Sequence, residues 1–137
     1  MSTISKTYVI DFPLELVFSK WVAEETVVSP AEKMEIEPRV GGAYRLMMPG
    51  GGVMEGVISE FAENEHVRYS WNWVGSDETT EVNVTFRSHP DGTEVQVTHS
   101  GFDSSTSHDN HASGWDSYID GFTAHLKSSA NAISRRH

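Results

Sequence analysis

The chain contains no cysteine among its 137 residues, which excludes disulfides, thiolate nucleophiles and cysteine-based zinc sites. A sequence without cysteine suits a reducing compartment. The amino-terminal segment has one lysine and no continuous apolar stretch, so we expect no secretory signal and a cytoplasmic location. No apolar run approaches the roughly 20 residues of a membrane span, so stable membrane insertion is not expected either.

Basic residues are scarce, because 10 lysines and arginines face 20 acidic residues and the formal net charge is −10. Binding to a phosphate backbone depends on clustered basic side chains, so nucleic acid is not an expected partner. The negative charge also opposes anionic membrane surfaces, although it does not prevent uptake of a neutral apolar molecule. The length fits one hydrophobic core, and no internal repeat or linker divides it, so we expect a single domain over residues 1–137.

The first 30 residues predict a strand followed by a helix. Residues 5–11 mix β-branched and aromatic side chains, and Pro13 suits the first turn of a helix because proline fixes φ and lacks an N–H. Spacing of three and four residues predicts a buried stripe on a helix that begins at Pro13, formed by Leu14, Val17, Phe18 and Trp21. A second short helical piece is expected over residues 24–28, ending before Pro30.

Between residues 33 and 100 the pattern changes to about six strands separated by turn signals. The turns lie roughly 8 to 15 residues apart, which leaves no room for crossover helices, so a mainly antiparallel meander is expected. One turn, Gly50 to Gly52, is rich in glycine but is not followed by Lys-Ser/Thr and opens no helix. We therefore interpret it as a hairpin loop, not as a phosphate-binding loop.

Three of the strands alternate between an apolar and a polar face. The apolar positions are Val67, Tyr69, Trp71 and Trp73, then Val82, Val84 and Phe86, and then Val95 and Val97. His99 continues the parity of the last strand, so its side chain is expected to point inward. Alternation around Arg45 and Glu55 is less regular, and the sequence does not assign either residue to a face.

A polar stretch, residues 103–111, precedes the last periodic segment, which predicts a long C-terminal helix. Its apolar stripe is formed by Trp115, Tyr118, Ile119, Phe122, Leu126 and Ile133. Gly114 and Gly121 lie inside this helix, and each costs roughly 1 kcal/mol relative to alanine in helix propensity. We therefore expect a packing reason for them, namely that the missing side chains leave room.

Several short motifs occur in a set order along nearly the whole chain. They are Pro13, Val17, Phe18 and Trp21; Arg39 to Arg45 (RVGGAYR); Glu55-Gly56; Tyr69 to Trp73 (YSWNW); Asp91-Gly92-Thr93; Gly101-Phe102; and His111 to Trp115 (HASGW). Together with the order strand, helix, antiparallel strands and long helix, these motifs resemble the activator of heat-shock-protein-90 ATPase family within the START-like (SRPBCC) superfamily.

The resemblance implies an α+β helix-grip fold, in which a curved antiparallel sheet of about six to seven strands wraps around the long C-terminal helix. One or two short helices follow the first strand. It also implies a cavity between helix and sheet, which many superfamily members use to bind lipids, polyketides or other apolar molecules, but it implies no common chemistry. One departure is the segment from Thr26 to Pro30 (TVVSP), where similar proteins often carry a tryptophan, so we expect a different cavity rim.

We expect the cavity to bind a small hydrophobic or aromatic molecule without a cofactor, since such sites are mainly apolar with few polar groups. The predicted ligand-binding residues are Tyr69, Trp71, Trp73, Val84, Phe86, Val97, His99, His111, Trp115, Tyr118 and Phe122. His99 and His111 are the polar candidates for orienting a ligand. The alternative is that each histidine is satisfied by a backbone carbonyl or by water.

A metal site is the weaker interpretation of His108, Asp109 and His111. Imidazole and carboxylate bind zinc or iron, and spacing of i and i+3 is compatible with a helical chelate. No Glu-x-x-His or His-Glu-x-x-His arrangement accompanies these residues, so we expect no metal. A hydrolase is not indicated either, because the sequence contains no G-x-S-x-G motif.

Three functions stay open from the sequence. The first is non-catalytic binding of a small apolar molecule. The second is an enzyme of the polyketide cyclase/aromatase type, in which a cavity histidine or tyrosine acts as general acid or base, although no catalytic residue is assigned. The third is a chaperone-associated interaction module that activates an ATPase. A homodimer is compatible with each of them.

Overall fold

The computed structural model describes residues 2–23, 26, 31–102 and 104–134. These ranges contain seven strands and two α-helices. The elements are β1 (Ser2–Ile10), α1 (Leu14–Trp21), β2 (Lys33–Ile36), β3 (Ala43–Met47), β4 (Val53–Ala62), β5 (His66–Trp73), β6 (Thr79–His89), β7 (Gly92–Phe102) and α2 (Ser105–Ser134).

All seven strands form one antiparallel sheet in the order β1-β7-β6-β5-β4-β3-β2. Strands β2 to β7 pair in sequence order, as the closely spaced turns predict, and β1 adds to the edge beside β7. The glycine-rich turn forms a short 3-10 helix, Pro49–Gly51, between the antiparallel strands β3 and β4, which confirms the hairpin interpretation. The predicted helix-grip arrangement, a curved sheet with one long C-terminal helix, is confirmed.

Helix α1 starts one residue after its predicted start. Pro13 is the N-cap, because its ψ of 149° is extended, and the helical residues begin at Leu14. The buried face is formed as the spacing predicts: Val17, Phe18 and Trp21 are buried and Leu14 is half-buried. The second helical piece, expected over residues 24–28, lies outside the described residues.

The outer face of the sheet carries Arg45 and Glu55, the two residues whose orientation the sequence left open. Strand register places Glu35 opposite Arg45 and Arg45 opposite Glu55. The Arg45 guanidinium lies 3.5 Å from the Glu35 carboxylate and 3.6 Å from that of Glu55. Exposed ion pairs of this kind typically contribute at most about 1 kcal/mol to stability. The main effect of Glu35, Arg45 and Glu55 is therefore to keep this face of the sheet polar.

Helix α2 begins at Ser105, within the polar stretch of residues 103–111 that the sequence pattern placed before the helix. Ser104 and Thr106 are exposed, so their polar side chains do not oppose helix formation, and the Ser104 carbonyl accepts a hydrogen bond from the His108 N–H at 3.1 Å. The buried stripe is Trp115, Ile119, Phe122 and Leu126. Tyr118 is half-buried, and the side chain of Ile133 lies outside the described part.

The turn between β6 and β7 requires glycine. Gly92 has a φ of +133°, and a Cβ at this position would lie 2.1 Å from the carbonyl oxygen of Ile10. The hydroxyl of Thr93 donates to the carbonyl of Phe12 at 2.7 Å. This turn therefore holds the start of β7 against the end of β1, where the chain enters α1.

The two helices cover different parts of the inner face of the sheet. Helix α1 lies against β6 and β7, whereas α2 lies mainly against β1 and β7. The rings of Trp21 and Trp115 stack at 6.2 Å with 8° between their planes, which joins the two helices. The inner face of β2, β3 and β5 is covered less closely, and α2 reaches β5 through the side chains of His111 and Trp115. In the described ranges, neither helix is long and apolar enough to cross a membrane.

Candidate functional site

A cavity of about 550 Å³ lies between the first half of α2 and the inner face of β2, β3 and β5. Pockets of roughly 300 to 1,000 Å³ are the size that takes a small organic ligand. Its wall is formed by Thr26, Ala31, Met34, Tyr44, Leu46, Met48, Tyr69, Trp71, Trp73, Asn110, His111, Gly114, Trp115, Ser117 and Tyr118.

The wall is polar at its mouth and aromatic inside. Asn110, Gly114 and Ser117 are exposed residues of α2 and border the opening, whereas Tyr44 and Tyr69 are buried. Lysine, arginine, aspartate and glutamate do not occur in the described wall. The cavity is therefore an uncharged apolar space with a polar edge.

Aromatic rings from two strands that are not neighbours contact each other across β4. Tyr44 of β3 stacks on Tyr69 of β5 at 4.7 Å between ring centroids, and lies 6.4 Å from Trp71. Gly56, which is paired with Tyr44 on the intervening strand, carries no side chain that could separate the rings. A Cβ at Gly56 would lie 1.8 Å from the carbonyl oxygen of Ser70, so this position of β4 requires glycine.

His99 is fully buried behind the cavity wall and joins three strands to α2. Its Nδ1 accepts a hydrogen bond from the indole N–H of Trp115 at 3.0 Å, and its Nε2 lies 2.6 Å from the hydroxyl of Thr80. An indole N–H can only donate, so Nδ1 is unprotonated and Nε2 carries the hydrogen. The Thr80 hydroxyl donates in turn to the carbonyl of Trp71 at 3.1 Å, which leaves every member of the chain satisfied.

The environment of His99 keeps its ring neutral. Burial, with a smaller contribution from His111, lowers the pKa of His99 to about 3. The one nitrogen that could accept a proton already accepts the hydrogen bond of Trp115. His99 is therefore poorly suited to act as a general base near neutral pH.

His111 lies in the wall itself and is half-buried. Its Nε2 accepts a hydrogen bond from the indole N–H of Trp73 at 3.2 Å, which requires that this nitrogen be unprotonated. Its ring lies 5.2 Å from that of His99 and 5.1 Å from that of Phe102. Both histidines that the sequence singled out thus accept hydrogen bonds from tryptophans, a partner that neither sequence alternative included.

Three tyrosines of the wall are held in their protonated form. Burial raises the pKa of Tyr44 and of Tyr118 well above 10, with a further contribution from a neighbouring tyrosine in each case, and it also raises the pKa of Tyr69. A tyrosine with a raised pKa is a weaker acid and keeps its O–H. These side chains therefore carry neutral hydroxyl groups, and those of Tyr44 and Tyr69 interact with each other.

Two buried polar atoms of wall residues have no hydrogen-bond partner within the described structure. They are the hydroxyl oxygen of Thr26, whose residue is 1% exposed, and the indole nitrogen of Trp71. A buried group left unpaired typically costs about 1–3 kcal/mol. Such atoms are uncommon in folded proteins, and both of these belong to the cavity.

Gly114 is one of the two glycines inside the C-terminal helix, and its surroundings are open. A Cβ built on Gly114 would meet nothing within 4 Å, and the residue borders the cavity. No neighbouring atom therefore requires glycine here, and the packing reason expected from the sequence is wrong for Gly114.

The structure brings six of the eleven predicted site residues together in the wall. These six are Tyr69, Trp71, Trp73, His111, Trp115 and Tyr118. The other five are Val84, Phe86, Val97, His99 and Phe122, which are buried in the core and do not line the cavity. Phe86 illustrates the reason, because Phe18 and Trp21 of α1 contact its ring at 5.1 and 5.6 Å and cover it.

The predicted site residues did not include the part of the wall that comes from β2, β3 and the segment before them, or the mouth residues of α2. The residues left out are Thr26, Ala31, Met34, Tyr44, Leu46, Met48, Asn110, Gly114 and Ser117, of which Thr26 begins the segment that the sequence placed at the cavity rim. A signal was present, because Tyr44 and Leu46 flank Arg45 and share one parity. Assigning Arg45 to the outer face would have placed both in the cavity.

His108, Asp109 and His111, the residues of the weaker metal interpretation, do not form a site among the described residues. His108 Nδ1 lies 3.0 Å from the carboxylate of Asp109, and its Nε2 lies 3.4 Å from the carbonyl of Thr3. Among the residues that the structure describes, no group of three or more histidine, aspartate or glutamate side chains could hold a metal ion.

Solved structures share this fold at low sequence identity. A protein from Mesorhizobium loti has a TM-score of 0.84 at 21% identity, covering 92% of this chain and 97% of that one. An HSP90 activator from Plasmodium falciparum has a TM-score of 0.78 at 18% identity, covering 93% and 97%. A protein of the dynemicin biosynthetic locus has a TM-score of 0.79 at 13% identity, covering 94% of this chain and 48% of that one.

Comparison with curated protein sequences finds no match. A family model for Activator of Hsp90 ATPase homolog 1-like proteins matches residues 11–127, which span the chain from the start of α1 into the second half of α2. The matched region contains every residue of the cavity wall. The chain therefore belongs to the Activator of Hsp90 ATPase homolog 1-like protein family.

Proposed function

We propose that this protein binds a small hydrophobic or aromatic molecule in the cavity between α2 and strands β2, β3 and β5. The observation that carries the proposal is the cavity itself, about 550 Å³ bordered by six tyrosine and tryptophan side chains. Protein interiors are normally packed so closely that few voids exceed a water molecule. A space of this size with an aromatic wall is typical of a ligand site.

The cyclase-type alternative draws less support from the same side chains. A general base needs an accessible nitrogen or oxygen with a pKa near the working pH. The accepting nitrogen of His99 is occupied by Trp115, and that of His111 by Trp73. The wall tyrosines have raised pKa values, so they suit hydrogen bonding to a ligand better than proton abstraction.

The family match favours a second candidate, activation of an Hsp90 ATPase. One of the structural neighbours is an HSP90 activator, and the family description names the same activity. This candidate concerns a protein surface and does not account for the cavity. It is tested by the ATPase rate of an Hsp90 with and without this protein, and an unchanged rate at saturating protein would oppose it.

Ligand binding can be tested with N-phenyl-1-naphthylamine, an uncharged probe whose fluorescence rises in apolar surroundings. Titration into the wild-type protein should give saturable enhancement. Gly114→Leu should weaken it at least about tenfold, because the leucine side chain enters the open space beside Trp115. Ser113→Leu is the matched control, since Ser113 is exposed, precedes Gly114 on the same helix and does not line the cavity.

The two variants separate cavity binding from adsorption to the surface. Loss of enhancement in Gly114→Leu together with wild-type enhancement in Ser113→Leu would support the proposal. Equal enhancement in all three proteins, or none in the wild type with this or any related neutral probe, would oppose it. Circular dichroism of each variant checks that the helix is intact.

A further inference from the structure

The described cavity wall contains hydroxyl, amide, indole and imidazole groups but no charged side chain. On α2, the carboxylate of Asp116 lies between two wall residues, Trp115 and Ser117. It is directed toward β1 instead, where it accepts hydrogen bonds from Lys6 and from the hydroxyl of Tyr8, both at 2.9 Å. A ligand in the cavity therefore meets no ion-pair partner from this helix.

The tyrosine hydroxyls of the wall keep their protons, and one nitrogen of His111 acts as a hydrogen-bond acceptor. His111 accepts a hydrogen bond from the Trp73 N–H, which fixes its Nε2 as unprotonated. Tyr44, Tyr69 and Tyr118 keep their hydroxyl protons, because burial raises the pKa of each. The described wall thus presents dipoles and aromatic faces, without a lysine, arginine, aspartate or glutamate side chain.

We infer that the ligand is an uncharged, ring-bearing molecule with oxygen functions, such as a polycyclic phenol, ketone or quinone, and that the cavity rejects carboxylates and amines of the same shape. This inference rests on the proposed function and specifies its ligand class. Flat rings suit a wall of tyrosine and tryptophan side chains, which pack best in offset or edge-to-face arrangements. Oxygen functions suit the hydroxyl groups, including the buried Thr26 hydroxyl, which has no hydrogen-bond partner among the described residues.

The cavity disfavours charged ligands for a physical reason. Moving an ionised carboxylate or ammonium group out of water is strongly unfavourable unless an opposite charge compensates it, and the described wall offers none. The net charge of −10 adds to the penalty for an anion. The negative net charge and the aromatic faces both attract an ammonium ion. Neither of them replaces the hydration that an ammonium ion loses when it is buried.

Three anthracene derivatives test the inference with one ring system. At pH 7.5, 9-anthracenemethanol is neutral, 9-anthracenecarboxylate is an anion and 9-(aminomethyl)anthracene is a cation. We expect the alcohol to bind at least about tenfold more tightly than either ion, by fluorescence titration of the full chain. Amide shifts in ¹H–¹⁵N spectra should locate the alcohol at residues 44–48, 69–73 and 110–118. Dodecan-1-ol, neutral but without a ring, should bind more weakly than the aromatic alcohol.

Each result tests one part of the inference. If the anion or the cation binds at these residues as tightly as the alcohol, the charge rule is overturned and the proposed function stands. If dodecan-1-ol binds as tightly, the ring requirement is overturned. If none of the four compounds shifts the cavity residues, the inference fails together with the proposed function. The Gly114→Leu substitution should weaken the binding of 9-anthracenemethanol. A compound whose binding this substitution leaves unchanged is bound outside the cavity.

Discussion

The indole N–H of Trp115 donates a hydrogen bond to Nδ1 of His99 at 3.0 Å, within the protein interior. This contact determines the tautomer of His99 and leaves its Nε2–H to bind the hydroxyl of Thr80. Because Thr80 also binds the carbonyl of Trp71, one buried imidazole connects Trp71 of β5 to Trp115 of α2, and both tryptophans line the cavity. His99 is thus a residue that positions the wall, although it does not line it.

The buried state of His99 predicts a stability change with pH. Its pKa is about 3 in the folded protein and 6.5 ordinarily, so between these values the unfolded chain binds a proton that the folded protein does not. Stability is therefore complete above pH 6.5 and is lost as the pH falls toward 3. Between pH 7 and pH 5 the contribution of His99 should fall by about 2 kcal/mol, measured by urea denaturation.

His99→Gln isolates this contribution from that of the other histidines. The glutamine variant should be less stable than wild type at pH 7, because it does not reproduce both hydrogen bonds. Its loss of stability between pH 7 and pH 5 should be smaller than that of wild type by the same roughly 2 kcal/mol. Equal pH dependence in the two proteins would show that His99 is not held neutral by the fold.

Two glycine-to-alanine variants should change stability in opposite directions. Gly114→Ala should raise the free energy of unfolding by roughly 0.5–1 kcal/mol, because alanine has the higher helix propensity and its Cβ meets nothing within 4 Å. Gly92→Ala should lower it by about 1–3 kcal/mol, because φ is +133° and the Cβ would lie 2.1 Å from the Ile10 carbonyl oxygen. Thermal and urea unfolding measure both. Destabilisation by Gly114→Ala would mean that the helix is packed at this point.

The unpartnered hydroxyl of Thr26 predicts a stabilising substitution. Thr26→Val keeps the shape of the side chain and removes a buried polar atom that has no hydrogen-bond partner in the described structure. We expect the free energy of unfolding to rise by about 1 kcal/mol. The same variant should bind 9-anthracenemethanol more weakly if the hydroxyl meets the ligand. A loss of stability would indicate that this hydroxyl has a partner in the free protein.

Much of the fold could be predicted from the sequence because it depends on local periodicity. Alternation fixed the inward parity of Tyr69, Trp71 and His99, and helical spacing fixed the buried faces of α1 and α2. The site was predicted less completely, because parity shows which residues face inward but not which element covers them. Val84, Phe86 and Val97 face inward as predicted, yet α1 lies against β6 and β7 and makes this region core.

The role of His99 illustrates a second limit. Its burial followed from strand parity, but its partners are Trp115 on α2, 16 residues along the chain, and Thr80 on β6, 19 residues back. No spacing in the sequence encodes contacts of this kind, because they depend on how α2 crosses the sheet. The same holds for Trp73 and His111, which are 38 residues apart and joined by one hydrogen bond.

Intermolecular nuclear Overhauser effects between N-phenyl-1-naphthylamine and the protein test the central claim, ligand binding in this cavity, most directly. The account predicts contacts from the probe to the side chains of Tyr69, Trp71 and Tyr118, all of which line the cavity. Contacts confined to outer-face residues such as Arg45, or a saturated probe with no contact to the cavity wall, would contradict it.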